Sequence, residues 1–321
     1  MKIVVNSGQG GDLSNVTESQ VLRIQAVSES NEVILAKTRE EHLEHSADAD
    51  VILGIFNREI FDSAKKLQWV QTFGAGVDTV LFDEFVASPA SLTSAKGTVG
   101  THLADHAWAL LLGLLRGIGR AVRERTWGNA LSIRSETWEL GGRTLGVIGL
   151  GGTGVEVARR ATGFGMDVIA IDPENITPVE FVKAIWKPAR FHDLLEQSDV
   201  DIVCAPLTRE TRGMFNLEAF QHMKRHAILV NVTRGPIIDE ASLLEALNQG
   251  LIGGVGLDVT QEEPLPSDNP LWDMKNVIIT PHTAGGSPLR MDRTIDLFCE
   301  NLRRMSDGRP LLAQIDKSKG Y

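Results

Sequence analysis

Residues 143–172 read "RTLGVIGLGGTGVEVARRATGFGMDVIAID", and this stretch is the strongest indication of the fold. It joins an apolar run to Gly149-x-Gly151-x-x-Gly154, continues with apolar residues at helical spacing, and ends in a second apolar run that reaches Asp172. This order is typical of a βαβ unit, in which the glycines permit a tight turn, close approach to a pyrophosphate, and helix-to-strand packing. The stretch therefore predicts a bound dinucleotide, with its diphosphate at a helix N-terminus where free N–H groups and the helix dipole favour an anion.

Asp172 indicates which dinucleotide is bound. A carboxylate at the end of the second strand accepts hydrogen bonds from the adenosine 2′- and 3′-hydroxyls and repels a 2′-phosphate. No arginine follows at once in "DPENITP", so NAD is predicted in preference to NADP. Lys187 and Arg190 are the nearby cations that temper this preference.

Apolar runs alternate with helical patterns through most of the 321 residues, which predicts an α/β fold with parallel sheets. Strands are expected in 2–5, 32–36, 50–54, 67–73, 143–150, 166–172, 201–206, 226–232, 253–259 and 276–280. Two longer helices, near 101–125 and 288–305, are interpreted as connections between two domains. The predicted boundaries are 1–98 with 288–321 for one domain and 99–287 for the other. The glycine-rich residues 6–12 open no βαβ unit and are predicted to form a surface loop.

The charge, the apolar stretches and the cysteines indicate which partners and which cellular location are expected. The net charge of -10 and the pI near 5.3 argue against a nucleic-acid surface. The most apolar stretch, 107–115, is far shorter than the ~20 residues that cross a bilayer, and no secretory leader is evident. Cys204 and Cys299 have no CxxC spacing and are expected to be reduced thiols, so the expected location is the cytoplasm.

No metal site is predicted. His102 and His106 stand four apart on an expected helix, but HxxxH without a glutamate between the histidines is a weak signal. His42 and His45 are interpreted as part of a solvated helix face, and Cys204 has no evident base that would make it a nucleophile.

Three polar residues follow predicted strands and are expected to meet at one edge of the sheet: Arg234, Glu263 and His282. Beside a nicotinamide they suggest reduction of a ketone, with the imidazole supplying a proton and the carboxylate orienting it and favouring its charged form. The planar guanidinium suits a substrate carboxylate or carbonyl, which predicts a small 2-oxo acid substrate. Taken singly, each residue has an ordinary alternative: Arg234 pairs with Asp239, Glu263 is a solvated loop charge, and His282 ends a strand.

At these residues the sequence resembles the D-isomer-specific 2-hydroxyacid dehydrogenases, which include glyoxylate/hydroxypyruvate reductases and phosphoglycerate dehydrogenases. The motifs occur in family order along nearly the whole chain: "LQWVQTFGAGVDTV", "ADHAWALLLGLLR", "RTLGVIGLGGTG", "SDVDIVCAPLTRETRGMFN", "LVNVTRGPIIDEASLLEALNQG", "GVGLDVTQEEPLPSDNPLW" and "NVIITPHTAG". The resemblance implies two Rossmann-like or flavodoxin-like domains with an active site in the cleft between them, a homodimer, and reversible NAD(P)H-dependent reduction of a 2-oxo acid to the D-2-hydroxy acid.

The resemblance also implies roles for individual residues. Arg234, Glu263 and His282 would form the catalytic triad, and the glutamate is chosen over Glu262 because it immediately precedes proline. Cofactor contacts would come from Gly149, Gly151, Gly152, Thr153, Gly154, Asp172, Pro206, Val232, Thr233, Asp258 and Gly285, with Asp258 at the nicotinamide carboxamide. The backbone amides of Ala75 and Gly76 would hold the substrate carboxylate, and Trp138 would reach the partner subunit's pocket, as in some relatives.

Some features depart from the family pattern or leave rival functions open. Gly152-Thr153 replaces the more usual Arg-Ile pair, and residues 174–191 do not map closely onto the family, so the contacts to the adenine there are not predicted.

Formate dehydrogenases pair the histidine with glutamine, so Glu263 argues against that activity. Phosphite-type dehydrogenases keep the glutamate and remain an alternative, as does an NAD(H)-sensing corepressor-like protein.

Overall fold

The computed structural model describes residues 1–6 and 15–321, which leaves most of the predicted 6–12 loop outside the described residues. The chain divides into two compact units. The first comprises Met1–Val99 with Gly286–Tyr321, and the second comprises Gly100–Gly285.

The strands are β1 (Lys2–Asn6), β2 (Glu32–Ala36), β3 (Val51–Leu53), β4 (Trp69–Gln71), β5 (Ser91–Thr93), β6 (Thr144–Ile148), β7 (Asp167–Ile171), β8 (Ala184–Trp186), β9 (Val200–Val203), β10 (Ile228–Asn231), β11 (Gly254–Leu257) and β12 (Val277–Ile279). The helices are α1 (Glu18–Gln25), α2 (Arg39–Ser46), α3 (Arg58–Ser63), α4 (Asp83–Ala87), α5 (Gly100–Leu115), α6 (Ile118–Glu124), α7 (Ala130–Glu136), α8 (Gly152–Gly163), α9 (Phe191–Gln197), α10 (Leu217–His222), α11 (Glu240–Gln249) and α12 (Arg290–Ser306).

The first unit is built on a five-stranded sheet in the order β2-β1-β3-β4-β5, and every pairing is parallel. This is the flavodoxin-like strand order. The apolar stripe of α12 completes the core on one face, because Ile295, Phe298 and Leu302 pack with the strand residues. The Phe298 ring stacks on the Trp69 ring at a centroid distance of 4.8 Å.

The second unit is built on a seven-stranded parallel sheet in the order β12-β11-β10-β9-β6-β7-β8. The order reverses between β6 and β9, as in the doubly wound dinucleotide-binding fold. One face is covered by α5 and α8 and the other by α9, α10 and α11. The two parallel sheets confirm the predicted α/β class.

Two local expectations were wrong, and two strands were missed. The helix expected over 101–125 ends at Leu115 and restarts at Ile118, because Gly117 adopts a left-handed φ of 66° that interrupts the hydrogen-bond ladder. The strands β5 and β8 were missed, since neither lies within a longer apolar run of the kind that marks the equally short β3, β4 and β12. His42 lies in the core and not on a solvated face: its ring is 1% exposed, approaches Asn6 Nδ2 at 3.2 Å, and burial lowers its pKa to about 4.

Among the described residues, no helix combines the length and apolar character needed to span a membrane.

Candidate active site

All strands of the second unit run parallel, so the residues that follow them gather at one edge of its sheet. Gly149 follows β6, Asp172 follows β7, and Pro206 lies beyond β9. The adjacent strands β10, β11 and β12 are followed by Val232 to Arg234, by Asp258, and by His282. Two neighbouring groups thus share this edge, one around the glycine loop and one around the histidine.

The glycine loop has the shape that a bound diphosphate requires. Gly154 packs so closely that a Cβ there would lie 2.0 Å from the carbonyl oxygen of Gly149. A Cβ at Gly151 would meet no described atom within 4 Å, and both Gly151 and Gly152 are exposed. Thr153 is half-buried in the first turn of α8. The loop therefore fits against its own strand while leaving the N-terminus of α8 open to an anion.

Asp172 is buried and locked in place by backbone amides. Its Oδ2 accepts from the amide of Leu150 and its Oδ1 accepts from the amide of Glu174, each at 2.8 Å. Each carboxylate oxygen keeps a further lone pair that could accept a hydroxyl. The carboxylate thus joins the glycine loop to the end of β7, where the ribose of a dinucleotide is expected.

The two cations considered near the ribose have partners within the chain. Lys187 Nζ donates to the carbonyl oxygens of Pro173 and Glu174 at 2.9 and 2.8 Å. Arg190 pairs with Asp193 at 2.7 Å, and its guanidinium lies 3.7 Å from the centroid of the Trp186 ring. These contacts stabilise the segment after β7. Either cation would have to give up these partners to bind a 2′-phosphate.

His282 and Glu263 form a hydrogen-bonded pair. The distance between His282 Nδ1 and Glu263 Oε2 is 2.7 Å, and Glu263 Oε1 accepts from the amide of Thr260 at 3.1 Å. The histidine has a φ of 51°, and its amide contacts the carbonyl oxygens of Asp258 and Thr280 at 2.8 and 3.0 Å. With Nδ1 held by the carboxylate, Nε2 is the nitrogen directed to another partner, and the side chain is 49% exposed.

Asp258 fixes the loop that carries the histidine. Its Oδ1 accepts from the hydroxyl of Thr280 at 2.7 Å and the amide of Thr283 at 2.8 Å, and its Oδ2 accepts from the amide of Ala284 at 2.9 Å. Burial alone would raise the pKa of Asp258, but hydrogen bonds from His106, Thr280 and the loop amides outweigh burial and lower that pKa to about 2. The buried carboxylate is therefore held in its charged form as the anchor of the loop.

His106 belongs to this anchor, which the sequence did not show. Its Nε2 lies 2.8 Å from the Thr280 hydroxyl and 3.2 Å from Asp258 Oδ1. It reaches them from α5, more than 150 residues earlier in the chain, so no local pattern could have linked the three residues. His106, considered above as half of a weak metal motif, thus supports the loop that bears His282.

Arg234 lies on the loop after β10, beside the loop that carries Glu263. Gly235 allows this approach, since a Cβ there would lie 1.7 Å from the carbonyl oxygen of Thr260. The guanidinium Nη1 donates to the carbonyl of Thr233 at 2.8 Å, and the Arg234 carbonyl accepts from Asn231 Nδ2 at 2.9 Å. The alternative partner Asp239 accepts from the amide of Ser242 and caps α11.

The remaining expected cofactor residues occupy the same edge. Val232 is buried. The backbone amide of Thr233 donates to the Asn231 side chain at 3.0 Å. Gly285 is half-buried at the end of the loop that carries His282. The carbonyl oxygen of Pro206 accepts from the Thr211 hydroxyl at 2.7 Å. Burial raises the pKa of the neighbouring Cys204 thiol to about 12, so it carries almost no thiolate at neutral pH.

The residues expected to hold the substrate carboxylate lie in the first unit. Ala75 is half-buried and Gly76 is exposed, in the loop that follows β4. Two hydrogen bonds hold the preceding carbonyls: Ala95 N donates to Gly74 O at 2.9 Å, and Arg290 Nη2 donates to Phe73 O at 3.2 Å. Arg290, the first residue of α12, was missed because 217 residues separate it from its partner.

Comparisons with known proteins identify the family that the chain resembles. Residues 108–284 match the family model described as "D-isomer specific 2-hydroxyacid dehydrogenase, NAD binding domain". The chain is 36% identical to a glyoxylate reductase of Korarchaeum cryptofilum over 269 residues, which cover 81% of this chain and 80% of the relative.

Two solved structures share the fold across nearly the full length. A D-isomer specific 2-hydroxyacid dehydrogenase from Xanthobacter autotrophicus Py2, in complex with NADPH and MES, has a TM-score of 0.82, 29% identity and 99% coverage of each chain. An NAD-dependent formate dehydrogenase from Staphylococcus aureus, in complex with NAD, has a TM-score of 0.76 and 29% identity, covering 99% of this chain and 98% of its own.

Proposed function

The chain belongs to the D-isomer specific 2-hydroxyacid dehydrogenase family and is an oxidoreductase, and we propose that it reduces a small 2-oxo acid to the D-2-hydroxy acid, reversibly, with NAD(P)H. The observation that carries the proposal is the 2.7 Å pair of His282 and Glu263. This pair stands at the same sheet edge as a glycine loop shaped for a diphosphate.

The residues around the glycine loop fit a nicotinamide dinucleotide. The open N-terminus of α8 at Gly151 and Gly152 would receive the diphosphate, and Asp172 would receive the ribose hydroxyls. When bound, the reduced nicotinamide supplies the hydride for the carbonyl carbon. Asp172, together with the partners that already hold Lys187 and Arg190, favours NAD over NADP.

His282 is the proposed general acid of the reduction. Its Nε2 would donate a proton to the carbonyl oxygen as negative charge develops there, and take the proton back in the reverse reaction. Glu263 would hold Nδ1–H and stabilise the positive charge of the ring, which keeps the imidazole oriented through both directions. The anchor at Asp258 keeps the ring in place, and contact of Asp258 with the nicotinamide carboxamide stays a prediction.

Arg234 is the proposed substrate-binding cation. Its guanidinium would bind the carboxylate or carbonyl of the 2-oxo acid, since planar donors recognise planar acceptors well. The amides of Ala75 and Gly76 would bind the substrate carboxylate, on a loop held by Arg290. This set of donors selects an acid with a polarised carbonyl next to its carboxylate.

A homodimer is the proposed assembly. The segment from α6 to α7 exposes a series of large apolar side chains: Val122 at 68%, Trp127 at 95% and Leu131 at 77%. Several large exposed apolar side chains on one segment are typical of an interface. Trp138 packs half-buried against Arg143 and His226 in its own chain, and its proposed approach to a partner's pocket is part of the same assembly.

The test is oxidation of NADH, and separately of NADPH, with glyoxylate, hydroxypyruvate, pyruvate, phenylpyruvate and 2-oxoglutarate. Turnover that is lost in His282→Ala and kept in the control His45→Ala, a half-buried histidine of α2, supports the proposal, and the best substrate defines the pocket. Absence of turnover with every oxo acid despite measurable NADH binding would overturn it, in favour of phosphite-type chemistry or a sensing role.

A further inference from the structure

A cluster of metal-ligating side chains lies on two helices of the second unit, and none of its members is among the residues proposed for hydride transfer. His192 belongs to α9, and Glu218 and His222 belong to the neighbouring helix α10. One ligand atom from each residue lies within 4.8 Å of the others. We propose that these three side chains bind one divalent transition-metal ion, Zn²⁺ above all, which links α9 to α10.

The positions of the three side chains on α9 and α10 favour binding of one shared metal ion. Glu218 and His222 are four residues apart, so their side chains project from the same face of α10. The rings of His192 and His222 are stacked at a centroid distance of 4.1 Å with 15° between their planes. Two imidazoles and a carboxylate from two helices are therefore close together, and they form a ligand set that zinc prefers.

A fourth residue prepares His222 for metal binding. Glu196, four residues after His192 on α9, places its Oε1 2.8 Å from His222 Nδ1. A carboxylate on one ring nitrogen fixes the tautomer and leaves Nε2 with its lone pair directed elsewhere, as is usual for metal-bound histidines. Glu196 is thus a positioning residue in this proposal, and the direct ligands are His192, Glu218 and His222.

Metal binding requires one imidazole to rotate, because the nitrogen lone pairs lie in the planes of two stacked rings, but the ligand atoms themselves are already close. With metal–ligand bonds of roughly 2.0–2.1 Å, tetrahedral ligand atoms lie about 3.3 Å apart, so atoms within 4.8 Å need to close by at most ~1.5 Å. Glu218 is exposed and long enough to rotate by that amount. The helices themselves stay fixed, because Leu194 and Phe220 anchor them in one core cluster.

The site was not predictable from the sequence. His192 and Glu218 are separated by 26 positions, and neither segment has a recognised metal motif. A metal here has no contact with the residues proposed for hydride transfer, so it would stabilise the dinucleotide-binding unit without entering the reaction. Zn²⁺ binding can therefore be tested independently of the oxidoreductase activity.

The experiment uses the full chain without a polyhistidine tag, stripped by chelator, and titrated with Zn²⁺ by calorimetry and with Co²⁺ by absorption spectroscopy. We expect one ion per chain, visible d–d bands of a low-symmetry Co²⁺ site, and a rise in Tm of about 5 °C or more at 100-fold excess over Kd. His192→Ala and His222→Ala should each weaken Zn²⁺ binding at least 100-fold, and Glu196→Gln about 10-fold.

The matched control is His45→Ala, a histidine of α2 in the other unit, which should bind Zn²⁺ as the unaltered chain does. Circular dichroism and Tm of the metal-free variants verify that they fold, and His222→Gln replaces His222→Ala if the latter does not. Equal Zn²⁺ affinity in the His192→Ala and His222 variants, or no binding at 1 mM Zn²⁺, would overturn the proposal.

Discussion

Replacing Asp258 by asparagine tests whether the buried carboxylate anchors the histidine loop. The substitution keeps the shape of the side chain and removes its charge. Whichever way the amide is placed, its NH₂ faces a donor: the amide of Ala284 on one side, or the amide of Thr283 and the hydroxyl of Thr280 on the other. At least one buried hydrogen bond is therefore lost, and two donors are brought together.

The magnitude follows from the pKa of Asp258. The pKa of the Asp258 carboxyl is lowered from an ordinary value of 3.8 to about 2, which corresponds to roughly 2 kcal/mol at about 1.36 kcal/mol per pH unit. The unsatisfied donor adds about 1–3 kcal/mol. Together these contributions are about 3–5 kcal/mol, and at about 2–4 °C per kcal/mol for a domain of 150–250 residues the Asp258→Asn variant should lose roughly 6–20 °C in Tm. Its kcat should fall as well, because the loop that orients His282 loosens.

The pH dependence provides the sharper assay. Because the folded pKa lies below the ordinary one, the stabilisation is complete above about pH 4 and is lost as pH falls through about 2. Urea unfolding of the unaltered chain and of Asp258→Asn should therefore differ by a constant free energy from pH 5 to 8, and by less below pH 4. The exposed Asp268→Asn is the control. An Asp258→Asn chain as stable as this control at pH 7 would refute the anchoring role.

Further outcomes follow from the same geometry. His282→Ala should lower kcat about 10²–10⁴-fold while NADH binding, measured by fluorescence, is retained; equal turnover would exclude a proton-donor role. Glu263→Gln should lower kcat while NADH binding is retained, because the carboxylate that orients the ring through Nδ1 is lost, and an unchanged kcat would contradict this. Gly151→Ala should keep the Tm but raise the KM for cofactor, whereas Gly154→Ala should lower the Tm, since only the second Cβ meets backbone; calorimetry and kinetics distinguish them. Leu131→Glu should shift the chain to monomer in analytical ultracentrifugation, and an unchanged sedimentation coefficient would exclude this face as the interface.

The features that depend on neighbouring residues could be predicted from the amino-acid sequence. Apolar runs near 143–150 and 166–172, with the glycines between them, specify strands, a turn and a helix through residue-to-residue spacing alone. The rule that parallel strands end at one edge then placed His282, Glu263 and Arg234 in the same region. The structure brings Glu263 and His282 into a 2.7 Å hydrogen bond, which spacing along the chain could suggest but not measure.

Contacts between segments that are distant along the chain are visible only in the tertiary structure. His106 meets Thr280 across 174 positions, Arg290 meets Phe73 across 217, and His192 meets His222 on a second helix. The tertiary structure also decided that His42 is buried and that the helix after Gly100 breaks at Gly117. The physical reason is the same in each case: side-chain partners and burial depend on how helices pack on the sheet, and that packing is settled by the whole core and not by the neighbours of any one residue.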